Sequence, residues 1–275
     1  MDILNELFSY HRDETKLAPV PGRDRIAYSR EEIVSCMDYT SLEATDTGAS
    51  LAAKIATLRE KLKKHGLPDV ASVCVYPRFA GVARECLSNS SIRTGVVAGG
   101  FPSAGTFARV KLLECRCAIE AGAEEIDVVI PAGEVLEKNY QQVHDELLAT
   151  RQACPDVTLK AIIETGELKE SEAIFRATLI AARAGVDFVK SSTGKTPVGA
   201  TPAAVRVMCE ALRQFHDRTG RKVGIKVAGG IASPGEAVAY MTIVRHELGE
   251  DWLAPRRFRI GASRLLDEII KECKR

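Results

Sequence analysis

The sequence lacks several features that would assign it to a membrane, secreted or nucleic-acid-binding class. No apolar run approaches the roughly 20 residues that span a bilayer, and Met1–Glu6 carries acids where a secretory signal has basic residues. The formal net charge is only +1, so no basic field favours nucleic acid. The eight cysteines and five histidines are dispersed, without metal-ligand spacing or a C-x-x-C pair. We therefore expect a cytoplasmic protein with reduced thiols, no metal or other cofactor, and no membrane or nucleic-acid partner.

What the sequence does contain is a regular alternation of short apolar runs and helical patterns. Between the runs, apolar residues recur at helical spacing, as in Leu51–Leu62, Val110–Cys117 and Val143–Leu148. The runs are typical of parallel strands that are buried on both faces. They are Ile33–Asp38, Ala71–Tyr76, Thr94–Ala98, Glu125–Ile130, Leu159–Ile163, Phe188–Ser191, Gly224–Val227 and Phe258–Gly261.

Eight strand–helix units within 275 residues predict an α/β fold of the (β/α)8 TIM-barrel type. We expect a single barrel domain over residues 31–275 and a short N-terminal extension over residues 1–30, with a helix at Ile3–Tyr10. A doubly wound open sheet is the alternative. That fold normally has a G-x-G-x-x-G turn after its first strand, and Asp38–Leu42 has no glycine.

Two of the apolar runs end in a lysine that is followed by a glycine loop, at Lys190 and at Lys226. In a barrel both would lie at the end that carries the active site. Asp127 lies inside the fourth run, where a carboxylate is unfavourable unless it is paired. A lysine amine with its usual pKa of about 10.4 is protonated at neutral pH, but a second ammonium and burial lower that pKa.

These three residues suit a nucleophilic amine, a charge that tunes it and a carboxylate that moves protons. An ion pair that only fixes packing is the alternative for Asp127. The pattern alone does not distinguish which of Lys190 and Lys226 is the nucleophile. The glycines after strands six to eight suit a phosphate, because bare backbone N–H groups and a helix N-terminus can approach an anion closely.

The motifs resemble those of the deoxyribose-phosphate aldolases. Asp187–Lys195 (DFVKSSTGK) and Gly224–Ile231 (GIKVAGGI) are the most specific of them. Five further motifs extend the resemblance over about residues 33–266: Met37–Leu42, Val73–Phe79, Glu125–Pro131, Ile162–Thr165 and Phe258–Ser263. The resemblance implies a metal-free class I aldolase with a (β/α)8 fold that reversibly cleaves 2-deoxy-D-ribose 5-phosphate into D-glyceraldehyde 3-phosphate and acetaldehyde.

The resemblance also implies a role for each matching residue. Lys190 would form the Schiff base, Lys226 would lower its pKa, and Asp127 with a water would transfer protons. Asp38 and Thr40 would lie at the substrate hydroxyls, and Cys74 near the aldehyde. The remaining substrate-binding positions, mainly for the phosphate, would be Thr193, Gly194, Lys195, Gly229, Gly230, Gly261 and Ser263.

The sequence departs from the family pattern at two places. Arg264 stands where some members have a second serine, and the chain ends Lys271–Arg275, without the terminal tyrosine that some members use in proton transfer. The expected partners are a sugar phosphate and an aldehyde, with a homodimer as a further expectation. Two alternatives stay open: an aldolase that acts on another phosphorylated donor, and an inactive barrel that binds sugar phosphates or protein partners.

Overall fold

The first strand begins later in the chain than the sequence predicts, because a short helix precedes it. The computed structural model describes residues 28–272, so the helix predicted at Ile3–Tyr10 lies outside it. Ile33 and Val34 belong to helix α1 (Arg30–Ser35), not to the strand. A capping box starts this helix: Ser29 Oγ accepts from the Glu32 N–H and the Glu32 carboxylate accepts from the Ser29 N–H. Strand β1 starts only at Met37.

Eight strands close into a parallel barrel in chain order, and β8 pairs with β1. This confirms the predicted (β/α)8 barrel, and the open-sheet alternative is wrong. The strands are β1 (Met37–Thr40), β2 (Ser72–Val75), β3 (Arg93–Ala98), β4 (Glu125–Val129), β5 (Thr158–Ile162), β6 (Phe188–Lys190), β7 (Gly224–Ala228) and β8 (Phe258–Ala262).

Helices alternate with these strands and cover the barrel. After α1 they are α2 (Gly48–Lys64), α3 (Ala80–Leu87), α4 (Ala108–Glu120), α5 (Ala132–Leu136), α6 (Tyr140–Ala153), α7 (Thr165–Leu168), α8 (Ser171–Arg183), α9 (Pro202–Thr219), α10 (Pro234–Leu248) and α11 (Leu265–Glu272). Short 3-10 turns lie at Pro77–Phe79 and Glu250–Trp252. Among the described helices, none has the length and apolar character that a membrane span requires.

The amphipathic pattern of α2 is confirmed, because its predicted stripe Leu51–Leu62 packs in the core. The pattern predicted for α4 is wrong. Val110 and Leu113 are 43% and 59% exposed, and the buried face carries Lys111 instead. Lys111 can be buried because its ammonium lies 2.6 Å from the Glu146 carboxylate of α6. On α6, Leu148 also remains exposed.

Alternate residues of each strand face opposite sides of the barrel wall. One set, which includes Ile126 and Ile225, packs with the helices in a continuous apolar core. The other set points into the barrel, where branched apolar residues usually dominate. Here that interior includes seven buried charged residues. They are Asp38, Glu125, Asp127, Lys160, Lys190, Lys226 and Arg259. Burial of so much charge requires close pairing.

Candidate active site

Strand register brings the two lysines of the sequence motifs together. Lys190 is the last residue of β6, and its register partner on β7 is Lys226. Paired residues on adjacent strands point to the same side of the sheet, so both ammonium groups enter the barrel. Two strands away, Asp127 also points inward, and its register partner on β5 is Lys160.

Asp127 is the centre at which three lysines meet. Its Oδ2 lies 2.8 Å from Lys190 Nζ and 2.7 Å from Lys226 Nζ, and its Oδ1 lies 2.9 Å from Lys160 Nζ. Burial alone would raise the pKa of the Asp127 carboxyl, but the three ammonium groups outweigh burial and hold it well below its usual value. Asp127 therefore stays ionised at neutral pH.

A lower layer of charge lies beneath this centre, and the sequence reading assigned it no role. Arg259 donates to both oxygens of Glu125 at 2.8 and 3.0 Å, and Lys160 lies 2.7 Å from the same carboxylate. Gly224 leaves the space that the Phe188 ring fills, and this ring lies under the Arg259 guanidinium at 5.3 Å. The sequence feature that could have identified this layer is the placement of Glu125, Lys160 and Arg259 inside apolar runs. Each lies at a position that alternates in step with the inward-facing residues of its strand.

The two candidate nucleophiles differ in how many carboxylates they contact. Lys226 Nζ lies 2.7 Å from Asp127 and 2.5 Å from Asp38, whereas Lys190 contacts only Asp127 among the described residues. Burial lowers the pKa of both amines. The two carboxylates overcome this effect at Lys226, and its pKa is raised. At Lys190, burial and the Lys226 charge together outweigh Asp127, and the pKa is lowered. Geometry thus favours Lys190 as the free amine.

A cavity of about 220 Å³ opens above Lys190 at the carboxyl ends of the strands. Its walls come from the ends of β1, β6, β7 and β8, the position at which barrels of this type carry their active sites. Most of the predicted substrate-binding residues line it: Thr40, Thr193, Gly194, Lys195, Gly229, Gly230, Gly261 and Ser263. Glu43 and Arg264 also line the cavity. Glu43 was not predicted, because nothing in its local sequence marks it.

Two glycines of the cavity wall are required by close contacts. Gly229 has φ +90°, and a Cβ there would lie 2.8 Å from the Gly199 Cα of the loop after β6. A Cβ on Gly261 would lie 3.2 Å from Lys226 Cε. The first glycine lets two loops pack together, and the second leaves room for the Lys226 side chain.

Glu164, which follows β5, organises the loop after β6. Its backbone is left-handed, with φ +52°, and its carboxylate is buried. The carboxylate accepts hydrogen bonds from the Thr193 N–H and hydroxyl and from the Thr196 hydroxyl. Lys195, two residues beyond Thr193, donates from Nζ to the Leu42 carbonyl at 2.5 Å. In the sequence, Glu164 is marked only by its place in the Ile162–Thr165 motif, because its partners lie about 30 residues away.

Two predicted substrate contacts lie below the cavity wall. Asp38 is fully buried, and its oxygens are held by Arg259 at 2.6 Å and Lys226 at 2.5 Å, so it faces the charge network. Cys74 is also buried and packs with Leu42 and Val97. Burial and the Asp127 charge raise the pKa of its thiol.

Cation contacts fill the acidic part of the site. Within residues 28–272, no group of three His, Cys, Asp or Glu side chains has an arrangement that could hold a metal ion. Asp38, Glu125 and Asp127 do lie near one another, but lysine and arginine nitrogens occupy their oxygens. The described site therefore stabilises its carboxylates with its own side chains.

Comparison with known proteins relates the chain to a family. The model of the DeoC/LacD family aldolases matches residues 33–254. The chain is 40% identical over 250 residues to a deoxyribose-phosphate aldolase of Homo sapiens, covering 87% of this chain and 79% of the human protein. The Mus musculus deoxyribose-phosphate aldolase is 41% identical over the same shares of the two chains.

A solved structure supports the fold independently. The tetrameric deoxyribose phosphate aldolase of Aeropyrum pernix superposes with a TM-score of 0.72 at 24% identity, covering 97% of this chain and 99% of that chain. At this identity the likeness shows the barrel alone. The family match over residues 33–254 and the 40% identity to the human enzyme show the family as well as the fold. The chain belongs to the DeoC/LacD family of aldolases.

Proposed function

We propose that this chain is a class I aldolase that reversibly cleaves 2-deoxy-D-ribose 5-phosphate to D-glyceraldehyde 3-phosphate and acetaldehyde. The observation that carries the proposal is Lys190 at the floor of an open cavity, buried and in contact with one carboxylate. An amine with a lowered pKa is the nucleophile that a Schiff-base mechanism requires.

The first steps form an iminium ion on Lys190. The free amine attacks the C1 aldehyde of the open-chain sugar, and the carbinolamine loses water. Asp127 Oδ2, 2.8 Å from Nζ, lies within reach of the proton that leaves the amine. Because Asp127 remains ionised, it passes this proton to water instead of retaining it.

Carbon–carbon cleavage follows from the electron demand of the iminium. The 3-hydroxyl gives its proton to a water molecule, the C2–C3 bond breaks, and its electron pair moves through C2 to the nitrogen, which forms an enamine. D-Glyceraldehyde 3-phosphate leaves. The enamine then takes a proton at C2, and water hydrolyses the resulting iminium to release acetaldehyde and the Lys190 amine. Thr40 lines the β1 end of the cavity, which supports its predicted contact with a substrate hydroxyl.

The phosphate is expected at the outer wall, between the loops after β6, β7 and β8. Gly194, Gly229 and Gly230 expose backbone there with positive φ angles. Ser263 and Arg264 line the same wall immediately before α11, so the helix N-terminus adds a favourable dipole. Arg264 supplies a guanidinium that a serine at this position would lack.

Borohydride trapping tests the proposed nucleophile. Acetaldehyde and borohydride should add one reduced two-carbon unit to the peptide that contains residue 190. Lys190→Ala should abolish this adduct, and Lys226→Ala should still give it, more slowly. Loss of the adduct in Lys226→Ala with retention in Lys190→Ala would refute the assignment.

A panel of sugar phosphates tests the substrate. We expect glyceraldehyde 3-phosphate and acetaldehyde from 2-deoxyribose 5-phosphate, detected by coupled reduction of the products. Cleavage of a different sugar phosphate with the same adduct would replace the substrate and retain the mechanism. Phosphate binding without any adduct would instead favour the inactive barrel.

A homodimer stays a prediction for this chain. Phe107, Val110 and Leu113 leave an apolar strip exposed on and beside α4, with Phe107 71% exposed. Large exposed apolar patches often mark association surfaces. Light scattering should therefore give twice the chain mass, and Leu113→Glu should lower it. A monomer at all concentrations would refute the prediction.

A further inference from the structure

The charges of the seven-residue network inside the barrel do not balance. Four cations, Lys160, Lys190, Lys226 and Arg259, contact three carboxylates, Asp38, Glu125 and Asp127. All seven side chains are at most 6% exposed, so solvent compensates little of the excess. An excess buried charge is unfavourable, and the usual response is that one group changes its protonation state.

The contacts identify the cation whose deprotonation requires the least free energy. Arg259 forms paired hydrogen bonds with Glu125 and a further one with Asp38. Lys160 contacts Glu125 at 2.7 Å and Asp127 at 2.9 Å. Lys226 also contacts two carboxylates. Lys190, at the top of the network, shares its single carboxylate with Lys160 and Lys226.

We propose that Glu125, Lys160 and Arg259 are positioning residues that fix the charge balance of the barrel interior and thereby leave Lys190 as its one excess cation. They act through Asp127 and Asp38, and they lie below the cavity that receives the substrate. The inference deepens the proposed aldolase function, on which its catalytic meaning rests.

The proposal assigns opposite effects to two changes in one ion pair. Lys160→Met removes a cation, so the remaining three cations balance three carboxylates and Lys190 retains its proton to higher pH. Glu125→Gln removes an anion, so the excess positive charge grows and Lys190 loses its proton at lower pH. Removal of one buried charge at this distance is expected to shift the midpoint of the Lys190 titration by about one pH unit.

Other charged groups around Lys190 stay unchanged in this comparison. Three groups face Lys190: Asp127 on β4, Lys226 on β7 and the Cys74 thiol on β2. On β5 the register partner of Lys190 is the apolar Ile162. Lys195 lines the same cavity from the loop after β6. Arg93 approaches Glu125 only to 4.0 Å and is 55% exposed, so solvent screens its charge.

The test measures the free amine of Lys190 without using the aldolase reaction. The full chain is treated with formaldehyde and cyanoborohydride over a pH series, and methylation of the peptide containing residue 190 is followed by mass spectrometry. We expect the midpoint to move up in Lys160→Met, down in Glu125→Gln, and back to within about 0.3 unit of wild type in the double variant, whose excess charge is again +1.

A purely structural role predicts a different pattern. Both single variants break the same contact, so loss of packing would move both midpoints in one direction. The midpoint of the double variant would then differ from that of wild type at least as much as those of the single variants. Either result, or no shift in any variant, overturns the inference. Glu125→Gln preserves side-chain shape, so it and the double variant decide the question if Lys160→Met does not fold.

Failure of this inference and failure of the proposed function give different results. Opposite midpoint shifts without cleavage of 2-deoxyribose 5-phosphate would retain the charge balance and reject the substrate. Cleavage with unshifted midpoints would retain the aldolase and reject the role of the lower layer.

Discussion

The barrel interior has a lower half, which is the layer of Glu125, Lys160 and Arg259, and an upper half around Lys190. Both halves contain cations and carboxylates, but these have different roles. In the lower half, Arg259 and Lys160 are each held by two carboxylates within 3.0 Å. In the upper half, Lys190 shares one carboxylate and borders an open cavity. Cations that are fully compensated remain charged, whereas a cation that is incompletely compensated can become a free amine. The comparison indicates that the protonation of a buried amine depends on the local number of counter-charges as well as on burial.

The most severe effect should come from the upper half, and it should be confined to activity. Lys190→Met removes the nucleophile, so we expect turnover to fall by more than about 10⁴-fold. Stability should change by less than about 1 kcal/mol, because the variant removes the excess cation and leaves three cations with three carboxylates. Steady-state assay and urea unfolding of the same preparation measure the two quantities. A large loss of stability would contradict the proposed charge balance.

Removal of a cation from the lower half should instead affect stability. Arg259→Met leaves Glu125 and Asp38 short of a buried partner, which typically costs about 3–5 kcal/mol of unfolding free energy. Arg93→Met is the matched control, since its guanidinium also approaches Glu125 but is 55% exposed. We expect the control to change stability by less than about 1 kcal/mol. Equal urea midpoints for the two variants would remove the distinction between the halves.

The smallest effect should arise at the edge of the upper half, in the loop that Glu164 holds. Glu164→Gln replaces an acceptor of the Thr193 N–H and hydroxyl by an amide, so the loop with Gly194 and Lys195 should loosen. We expect KM for 2-deoxyribose 5-phosphate to rise about tenfold, equivalent to about 1.4 kcal/mol. The rate of acetaldehyde trapping on Lys190 should stay the same, because acetaldehyde has no phosphate. Thr193→Val should reproduce the rise in KM. An equal loss in trapping would place Glu164 in the chemistry at Lys190.

Much of the architecture could be predicted from the sequence because it depends on local periodicity. The strands and the barrel class followed from short apolar runs between helical patterns. The errors occurred where a local hydrogen bond or a distant ion pair altered the pattern. The Ser29–Glu32 capping box turned the start of the first predicted strand into a helix. The Lys111–Glu146 contact buried a charged face of α4 and exposed Leu113.

The sequence by itself determined the strand-end lysines, the acid within the fourth strand and the glycine loops, because each is a short pattern of adjacent residues. The residue pattern left both lysines as candidates and the family resemblance implied Lys190, but only the tertiary structure gives the physical reason for that choice. Asp127 lies 63 residues from Lys190 and 99 from Lys226, and Glu125 lies 134 from Arg259. Closure of the barrel brings these charges within hydrogen-bonding distance. The number of carboxylates around each amine, which sets its protonation, exists only after that closure.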